Sequence, residues 1–304
     1  MASEEGERID DIYLFTSIIC IIVFAIVAAI TVYAVIKFRA KPGDMEDGSP
    51  IHGNTAIEIT WTIIPTILVT AIGIWSAVVV VQNDNLPSGH RVINVEARQF
   101  AWSFSYPDER DGLQGMQMGE LVVPVNQPLE LHMTSPDVIH SFWVPEWRQK
   151  QDVVPGITTF YRITPTETGI YAIVCTELCG LGHSVMRSRV RVLTQEGFEI
   201  WRLERQNAVD QGGVSLGASV FQDLGCAACH SLDAASAMGT IGPDLDNVLP
   251  GQSVDELRQS IVNPDVVITE GFSEGLMPSF SSVPDEQLES LIEYLFESVE
   301  GLGS

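Results

Sequence analysis

The sequence predicts a membrane-anchored protein of mixed class, in which a pair of transmembrane helices carries a β-sandwich and a small all-α domain. Three patterns predict it. Residues 12–36 and 59–81 are apolar runs without a charge, residues 87–205 hold short stretches in which apolar and polar residues alternate, and residues 206–304 lose that alternation and close on a helical repeat. A chain of 304 residues has room for a separate core in each of the last two parts.

Each apolar run can span a bilayer, because 25 and 23 residues at about 1.5 Å of rise each exceed a hydrocarbon core of about 30 Å. The first run does not read as a signal peptide: Ser3-Glu4-Glu5-Gly6-Glu7-Arg8 is acidic rather than basic, and the run outlasts the apolar stretch of roughly 7–15 residues such a peptide has. Lys37, Arg39 and Lys41 lie between the runs and mark that loop as cytoplasmic. Residues 1–86 then form a helical hairpin with both ends outside, and the segment after Asn83 is exported. Pro65, inside the second run, is expected to kink its helix.

Residues 87–205 read as a sandwich because "RVINVEA" from Arg91, "ELVVPV" from Glu120, "LELHMT" from Leu129, "TTFYRIT" from Thr158, "GIYAIVC" from Gly169 and "RSRVRVL" from Arg187 all have the period of two of half-buried strands. A helical stretch from Glu196 leads to "DQGGVS", a Gly-rich break where the last domain begins. In that domain "DEQLESLIEYLFESV" sets Leu288, Leu291, Ile292 and Leu295 on one helical face.

The net charge of −24 is unevenly spread, with fifteen acids and one base, Arg258, in residues 211–304. So acidic a surface argues against nucleic acid as a partner. Two readings of it remain: a solvated, salt-adapted surface, or a field that steers a basic partner into a brief contact.

Cys20 lies in the first apolar run, Cys175 and Cys179 in the β region, Cys226 and Cys229 in the helical one. In an exported chain a close pair can simply be a disulfide. A bond between Cys175 and Cys179 would leave their neighbours without a purpose, because "YAIVCTELCGLGHSVM", residues 171–186, continues to His183 and Met186 in steps of four, four and three. Thiolate and thioether donors favour copper, whereas zinc takes Cys, His and carboxylate and seldom Met. A second imidazole is needed, and His140 in "DVIHSFWVP", at the end of an expected strand, is placed to supply it. His132 alternates as an ordinary strand residue does, and His52 and His90 are weaker candidates. Two bridging thiolates can hold two copper ions, and an electron shared between them leaves bond lengths nearly unchanged. Glu177 reads either as a carbonyl ligand or as a solvent-facing turn carboxylate.

Cys175-x-Glu177-x-Cys179-x-x-x-His183-x-x-Met186, with His140 upstream, resembles the binuclear copper (CuA) site of cytochrome c oxidase subunit II. "IEITWTIIP", residues 57–65, resembles that family's second membrane helix, and in "VPEWRQKQDVVPG" Lys150, Asp152, Pro155 and Gly156 fall in the family's places. The resemblance covers residues 10 to about 205. It implies a cupredoxin-like Greek-key sandwich in which His140, Cys175, Cys179, His183, Met186 and the carbonyl of Glu177 hold the copper ions, with the Glu177 carboxylate reaching a magnesium ion at the boundary with subunit I. It also puts Glu58 at the mouth of a proton-uptake path, although its position alone suits a carboxylate resting at headgroup depth equally well. Two departures stand out. Phe100 in "RQFAWSFSY" occupies the place of a surface tryptophan through which an external cytochrome c delivers electrons, while Trp102 matches the next aromatic and is a candidate for the electron path. Ile157 stands where an arginine often follows the Pro-Gly pair, and the sequence gives no reading of it.

Cys226-Ala-Ala-Cys229-His230 fits C-x-x-C-H, in which both thiols form thioethers to haem vinyl groups and the imidazole becomes an axial ligand. A thioether on the opposite side raises the reduction potential. Met277 in "EGLMPSF" lies well downstream in a loop, whereas Met238 is only eight residues beyond His230, so Met277 is the expected ligand. "GPDL", residues 242–245, resembles the small cytochrome c segment whose proline carbonyl, here that of Pro243, orients the axial histidine. Residues 206–304 then resemble a class I cytochrome c, and the whole chain resembles subunit II of the caa3-type oxidases. That resemblance implies electrons from an external donor (a c-type cytochrome or a quinol–cytochrome c reductase) passing through haem c and copper to a haem of subunit I, where oxygen is reduced to water with proton translocation. It implies subunit III as a further neighbour, and a multi-pass place in a bacterial plasma membrane with both cofactor domains on the periplasmic face. Two other functions would use the same parts: a membrane-held electron shuttle, which would purify without partners, and a copper-delivery protein, which has no use for C-x-x-C-H. A quinol-oxidising relative would lack the copper ligands, and a nitrous oxide reductase would need a second copper domain.

Overall fold

The computed structural model describes residues 2–39, 42–43, 50, 53–114 and 116–300. Lys41 and His52 lie outside the described residues, so the charge argument for orientation stands here on Lys37 and Arg39. The chain forms two compact units: Glu7–Asn85, and Met1–Gly6 together with Leu86–Ser304.

The first unit is a helix pair. Helix α1 (Glu4–Lys37) and helix α2 (Thr55–Asn83) are both long and apolar enough to cross a membrane. Their large apolar side chains point outward, Phe24 being 74% exposed and Ile64 61%, which in water would cost far more than it does in lipid. Phe15 meets Trp75 edge-on at 5.5 Å, and Arg8 donates to Asn83 Oδ1 at 2.9 Å. Both helices outrun the apolar runs that predict them because polar residues complete their ends. At α2 the Asn54 side chain accepts from the N–H of Ile57, and the Glu58 carboxylate accepts from the N–H of Asn54 at 3.1 Å, a reciprocal cap. Helix α2 continues as one helix through Pro65. The hydroxyls of Thr60, Thr62, Thr66 and Thr70 each donate to the carbonyl four residues back, so these polar groups need no water.

The second unit opens with two packed sheets. One has the order β2-β1-β4-β7, from β1 (Arg91–Arg98), β2 (Ala101–Ser105), β4 (Leu129–Thr134) and β7 (Thr159–Ile163). The other has the order β3-β9-β8-β5-β6, from β3 (Leu121–Pro124), β5 (His140–Trp143), β6 (Lys150–Val153), β8 (Gly169–Cys175) and β9 (Arg187–Leu193). The parallel pairs β1–β4 and β3–β9 among otherwise antiparallel neighbours give a sandwich of crossed connections. In β4 the alternation is literal: Leu129, Leu131 and Met133 are buried while Glu130 and His132 reach solvent. The sequence pattern misses β2, β5 and β6. "HSFW" in β5 has no alternation because His140, Ser141 and Phe142 are all buried in the middle of the sheet, and the polar "KQDV" of β6 is an edge strand. His140 accordingly opens a strand rather than ending one.

The N-terminal residues are part of this unit. The carbonyl of Ala2 accepts from the N–H of Thr166, and the buried Glu5 carboxylate accepts from the Thr164 N–H at 2.8 Å and its hydroxyl at 3.2 Å.

Helix α3 (Gln195–Gln211) follows β9, and only Gly212, with φ of +61°, separates it from α4 (Gly213–Asp223). After α4 come the short α5 (Cys226–Cys229), the two-residue strands β10 (Ser231–Leu232) and β11 (Ala237–Met238), the short α6 (Leu245–Val248), α7 (Val254–Val262) with a Ser253–Glu256 capping box, and α8 (Asp285–Glu300). The β10–β11 pair is the one departure from an all-helical expectation. Leu288, Leu291, Ile292 and Leu295 are all buried, as their helical spacing requires. Helices α4 and α8 cross with their backbones in contact: a Cβ on Gly217 would stand 1.9 Å from the carbonyl oxygen of Ser290.

The helical part docks on the sandwich. Gln117 donates from its backbone N–H to the Gln287 side chain at 3.3 Å and from its amide to the Ser282 carbonyl at 3.2 Å, and within the helical part Arg205 of α3 pairs with Asp223 of α4 at 3.1 Å. Burial pushes Asp223 up to about 6, against the pull of Arg205. An acid raised above its usual value of 3.8 stabilises the fold while protonated and loses that contribution as pH climbs through the raised value.

Two outcomes follow from this packing. Gly217→Val costs about 3 kcal/mol by forcing α4 from α8, read as a lower Tm for the helical part in calorimetry of the whole chain. For Asp223→Asn, Tm relative to the parent should rise as pH goes from 4 to 6, because only the parent carries the titration; a flat difference would remove Asp223 from the pH dependence.

Candidate metal centre and cofactor cavity

The first site is built by a strand pairing and a loop. Strand β8 ends at Cys175, β9 begins at Arg187, and the residues between carry Cys179, His183 and Met186. The pairing of β5 with β8 sets Phe142 opposite Cys175, which brings His140 to the same end of the sheet. One donor atom each from His140, Cys175 and Cys179 lies within 4.8 Å of the others. Cys175 Sγ is 3.9 Å from Cys179 Sγ, 4.0 Å from His140 Nδ1 and 3.3 Å from the Glu177 carbonyl. Cys179 Sγ is 3.5 Å from His183 Nδ1 and 3.7 Å from Met186 Sδ. All six donors named from the sequence therefore meet in one place, and the two cysteines are free thiols.

The electrostatics suit a cation. Burial works to raise the Cys175 thiol, but hydrogen bonds with His140 and the backbone outweigh it and bring the group down to about 6. Burial and the charge on Cys175 push Cys179 the other way, so the second thiol resists ionising until positive charge arrives. The Glu177 side chain is exposed, and among the described residues no second group of metal-binding side chains gathers around it.

Sequence reasoning missed the residues that hold this set in place. His140 Nε2 donates to Asp137 Oδ1 at 2.9 Å, which leaves Nδ1 facing Cys175. Burial would raise Asp137, yet its bonds with His140, Gln99, Val138 and Ser135 hold it below the usual carboxylate range. Gln99 ties two segments together, its N–H donating to Asp137 at 2.7 Å and its side chain to the carbonyl of Cys179. The i, i+3 spacing of Asp137 and His140 was the available signal. Asp152, singled out by its place in the resemblance, accepts from Ser141 at 2.7 Å, next to His140.

The second site is a cavity of about 250 Å³ lined by Cys226, Cys229, His230 and Met277. His230 Nδ1 donates to the Pro243 carbonyl at 2.9 Å, so Nε2 keeps its lone pair, and burial lowers the His230 pKa, which keeps the ring neutral. Gly242 lies against that ring, where a Cβ would stand 2.6 Å from His230 Cε1. Met238, the alternative thioether, is 88% exposed and does not line the cavity. Pocket, thiols, oriented imidazole and thioether fit a covalently attached haem.

Phe100, Trp102, Val185 and Arg187 of the sandwich line the same cavity. Trp102 is buried, with its ring edge-on to His140 at 6.3 Å and to Phe142 at 5.4 Å, so it borders both sites. The Phe100 ring lies against Gly180 and Gly182 of the cysteine-bearing loop. The remaining candidates lie elsewhere: Glu58 in its cap, Cys20 exposed in α1, His90 beside Pro87, and His132 bound to Glu130 at 2.7 Å. Ile157 is exposed, and nothing in the structure explains it.

A membrane-anchored chain with a sulfur-rich donor set in a β-sandwich and a C-x-x-C-H cavity in a helical domain defines an electron-transfer subunit. Residues 1–79 match the model of the cytochrome c oxidase subunit II transmembrane domain, residues 114–193 that of its periplasmic domain, and residues 214–298 that of cytochrome c. Among curated proteins, cytochrome c oxidase subunit 2 of Alkalihalophilus pseudofirmus is 31% identical over 96% of this chain and 87% of its own length, and that of Thermostichus vulcanus is 32% identical over 67% and 77%. The crystal structure of the periplasmic domain of subunit II of cytochrome oxidase from Bradyrhizobium japonicum aligns with 39% of this chain and 95% of that one at 29% identity, with a TM-score of 0.37. The chain belongs to the cytochrome c oxidase subunit 2 family, as a subunit of an oxidoreductase complex with a cytochrome c domain in the same chain.

Two variants test the site. Cys175→Ser should strip copper from the purified protein, measured by metal analysis. Asp137→Ala should weaken copper retention about 10- to 100-fold in chelator competition, the usual cost of losing the partner that orients a ligating histidine.

Proposed function

We propose that this chain is subunit II of a caa3-type oxidase, taking electrons at its C-terminal domain and passing them through its sandwich to a haem of subunit I, where oxygen is reduced to water with proton translocation. The observation that carries the reading is Trp102, which lines the cavity on one side and packs on His140 on the other. With Phe100 against the loop of Cys179, it sets aromatic side chains between the two donor sets.

Cys226 and Cys229 would hold the haem through their sulfurs, His230 and Met277 would supply nitrogen and sulfur to its iron, and Pro243 holds the His230 ring. His140, Cys175, Cys179, His183, Met186 and the carbonyl of Glu177 would hold two copper ions. When bound, the haem supplies a one-electron acceptor of raised potential, and the copper pair a one-electron relay of small rearrangement. The protein's own work is to orient and to exclude water. Asp137 fixes the tautomer of His140, Pro243 that of His230, and burial of both thiols of the pair keeps the relay dry. The Glu177 carboxylate, exposed beside the loop, suits a magnesium ion shared with subunit I. Exposed Leu178 and Leu181, at 77% and 96%, fit an apolar neighbour there. Subunit III completes the complex, and the donor is a c-type cytochrome or a reductase carrying one. The two apolar helices span a bacterial plasma membrane, with the cofactor domains on its periplasmic face. Glu58 serves the mouth of a proton path at the start of α2.

Rapid mixing of the oxidised complex with a one-electron donor tests the order of events. The C-terminal haem band should reduce first and the copper band follow, and Met277→Leu should lower the haem potential and slow the first phase. Simultaneous reduction, or copper before haem, would overturn the order. Glu58→Gln should slow turnover and leave both spectra intact, whereas unchanged turnover would leave Glu58 as a helix cap alone.

A further inference from the structure

Among the described residues that line the cavity of His230 and Met277, Arg187 is the sole lysine or arginine, and it comes from the sandwich rather than from the helical part. Its setting on β9 differs from that of its neighbours. Positions 187, 189 and 191 all carry arginine, and Arg189 and Arg191 both pair with Glu120, at 3.0 and 2.8 Å. Arg187 makes no ion pair among the described residues; its Nε donates to the Ser184 carbonyl at 3.4 Å, a contact that leaves its charge unanswered. The one acid lining the cavity, Asp265, accepts from the Gly275 N–H at 2.7 Å and does not pair with it.

The helical part has no cation of its own to bring there. Residues 211–304 hold fifteen acids and one base, and that base, Arg258, pairs with Glu289 and does not line the cavity. A haem carries a pair of propionate carboxylates on the edge away from the vinyl groups that cysteines take. Seating them in so acidic a domain is opposed by its charges, and negative charge beside the iron favours the ferric state. The sandwich wall also holds a donor in want of an acceptor: Trp102 is 3% exposed, and its indole N–H meets no acceptor among the described residues. Buried donors are ordinarily paired, by protein, water or ligand.

We propose that Arg187 is the counter-charge for a propionate of the haem, supplied across the seam by the domain that carries the copper ligands. A guanidinium suits the task, because its planar, two-pronged head matches a carboxylate and keeps its charge at every working pH. Neutralising the propionate removes negative charge beside the iron and raises the haem's affinity for an electron. Arg187 directly follows Met186, so the chain that closes the copper loop is also the chain that would position the haem. No electron, proton or covalent bond moves in forming the pair. The proposal rests on the reading that the cavity takes a covalent haem, and it adds a residue outside the helical domain that positions and tunes that haem.

The test is made on the assembled oxidase with the whole chain in place. Arg187→Gln should lower the equilibrium constant for electron uptake by the haem about two- to fivefold, the range of a solvent-accessible ion pair, read as a downward shift of its midpoint potential in a spectroelectrochemical titration. The propionate bending mode in the resonance Raman spectrum of the haem should shift with it. Arg187→Lys, which keeps the charge, should restore most of the potential. Copper content and the copper paramagnetic resonance spectrum should match the parent in both variants. An unchanged potential and propionate mode in Arg187→Gln would overturn the pairing, as would equal losses of potential in the Gln and Lys variants. A change confined to the copper spectrum would overturn it too, leaving Arg187 as a support of the copper loop alone. If the parent chain gives up its haem to acidified acetone, or carries none, it is the underlying reading of the cavity that fails, and this is seen without any variant.

Discussion

Two thiols 3.9 Å apart, one at the end of β8 and the other in the loop that follows it, are the constraint around which the rest of this structure is arranged. Hydrogen bonds make the first sulfur, that of Cys175, readily charged, and its charge together with burial opposes charging the second. Such a pair is stable as a dithiol, as a disulfide or around a cation, and the surroundings discriminate among these. An imidazole on each side, a thioether and a carbonyl all turn toward the sulfurs, and a disulfide has no use for them. The β5–β8 pairing, the hydrogen bonds of Gln99 and the Asp137–His140 contact all hold that convergence.

The second site is made by different means. Its imidazole is oriented by a backbone carbonyl, that of Pro243, where His140 is oriented by a carboxylate. A neutral acceptor leaves less negative charge on the ring than Asp137 does, so the two histidines are tuned unequally by their partners. What lies between the sites is aromatic, Trp102 and Phe100 lining the cavity from the sandwich side, and the hydrogen bonds of Gln117 hold the sandwich to the helical part while Arg205–Asp223 ties α3 to α4.

Much of this could be read from residue order. The apolar runs at 12–36 and 59–81 are inside the two helices, and the strands with one wet face were legible because their alternation is a direct record of burial. The strands that escaped had lost that record, β5 by being buried on both faces and β6 by lying at the edge. The donor sets were legible because chemistry restricts which residue types can serve, so spacing alone carried Cys175 through Met186 and Cys226 through His230. Asp137 and Gln99 escaped because an acid or amide that acts on a ligand looks, in sequence, like any other loop residue. The seam formed by Gln117, Ser282 and Gln287 was also invisible, since nothing local marks residues 165 or more positions apart as neighbours.

A single residue, Gly212, stands between α3 and α4. That leaves no slack line on which the last domain could swing out and search for its neighbour, in the manner of domains tied by long polar tethers. The spacing between the two donor sets is therefore built into the polypeptide, so the step proposed across it would be indifferent to viscosity, crowding and concentration, and diffusion would govern only the arrival of the proposed donor.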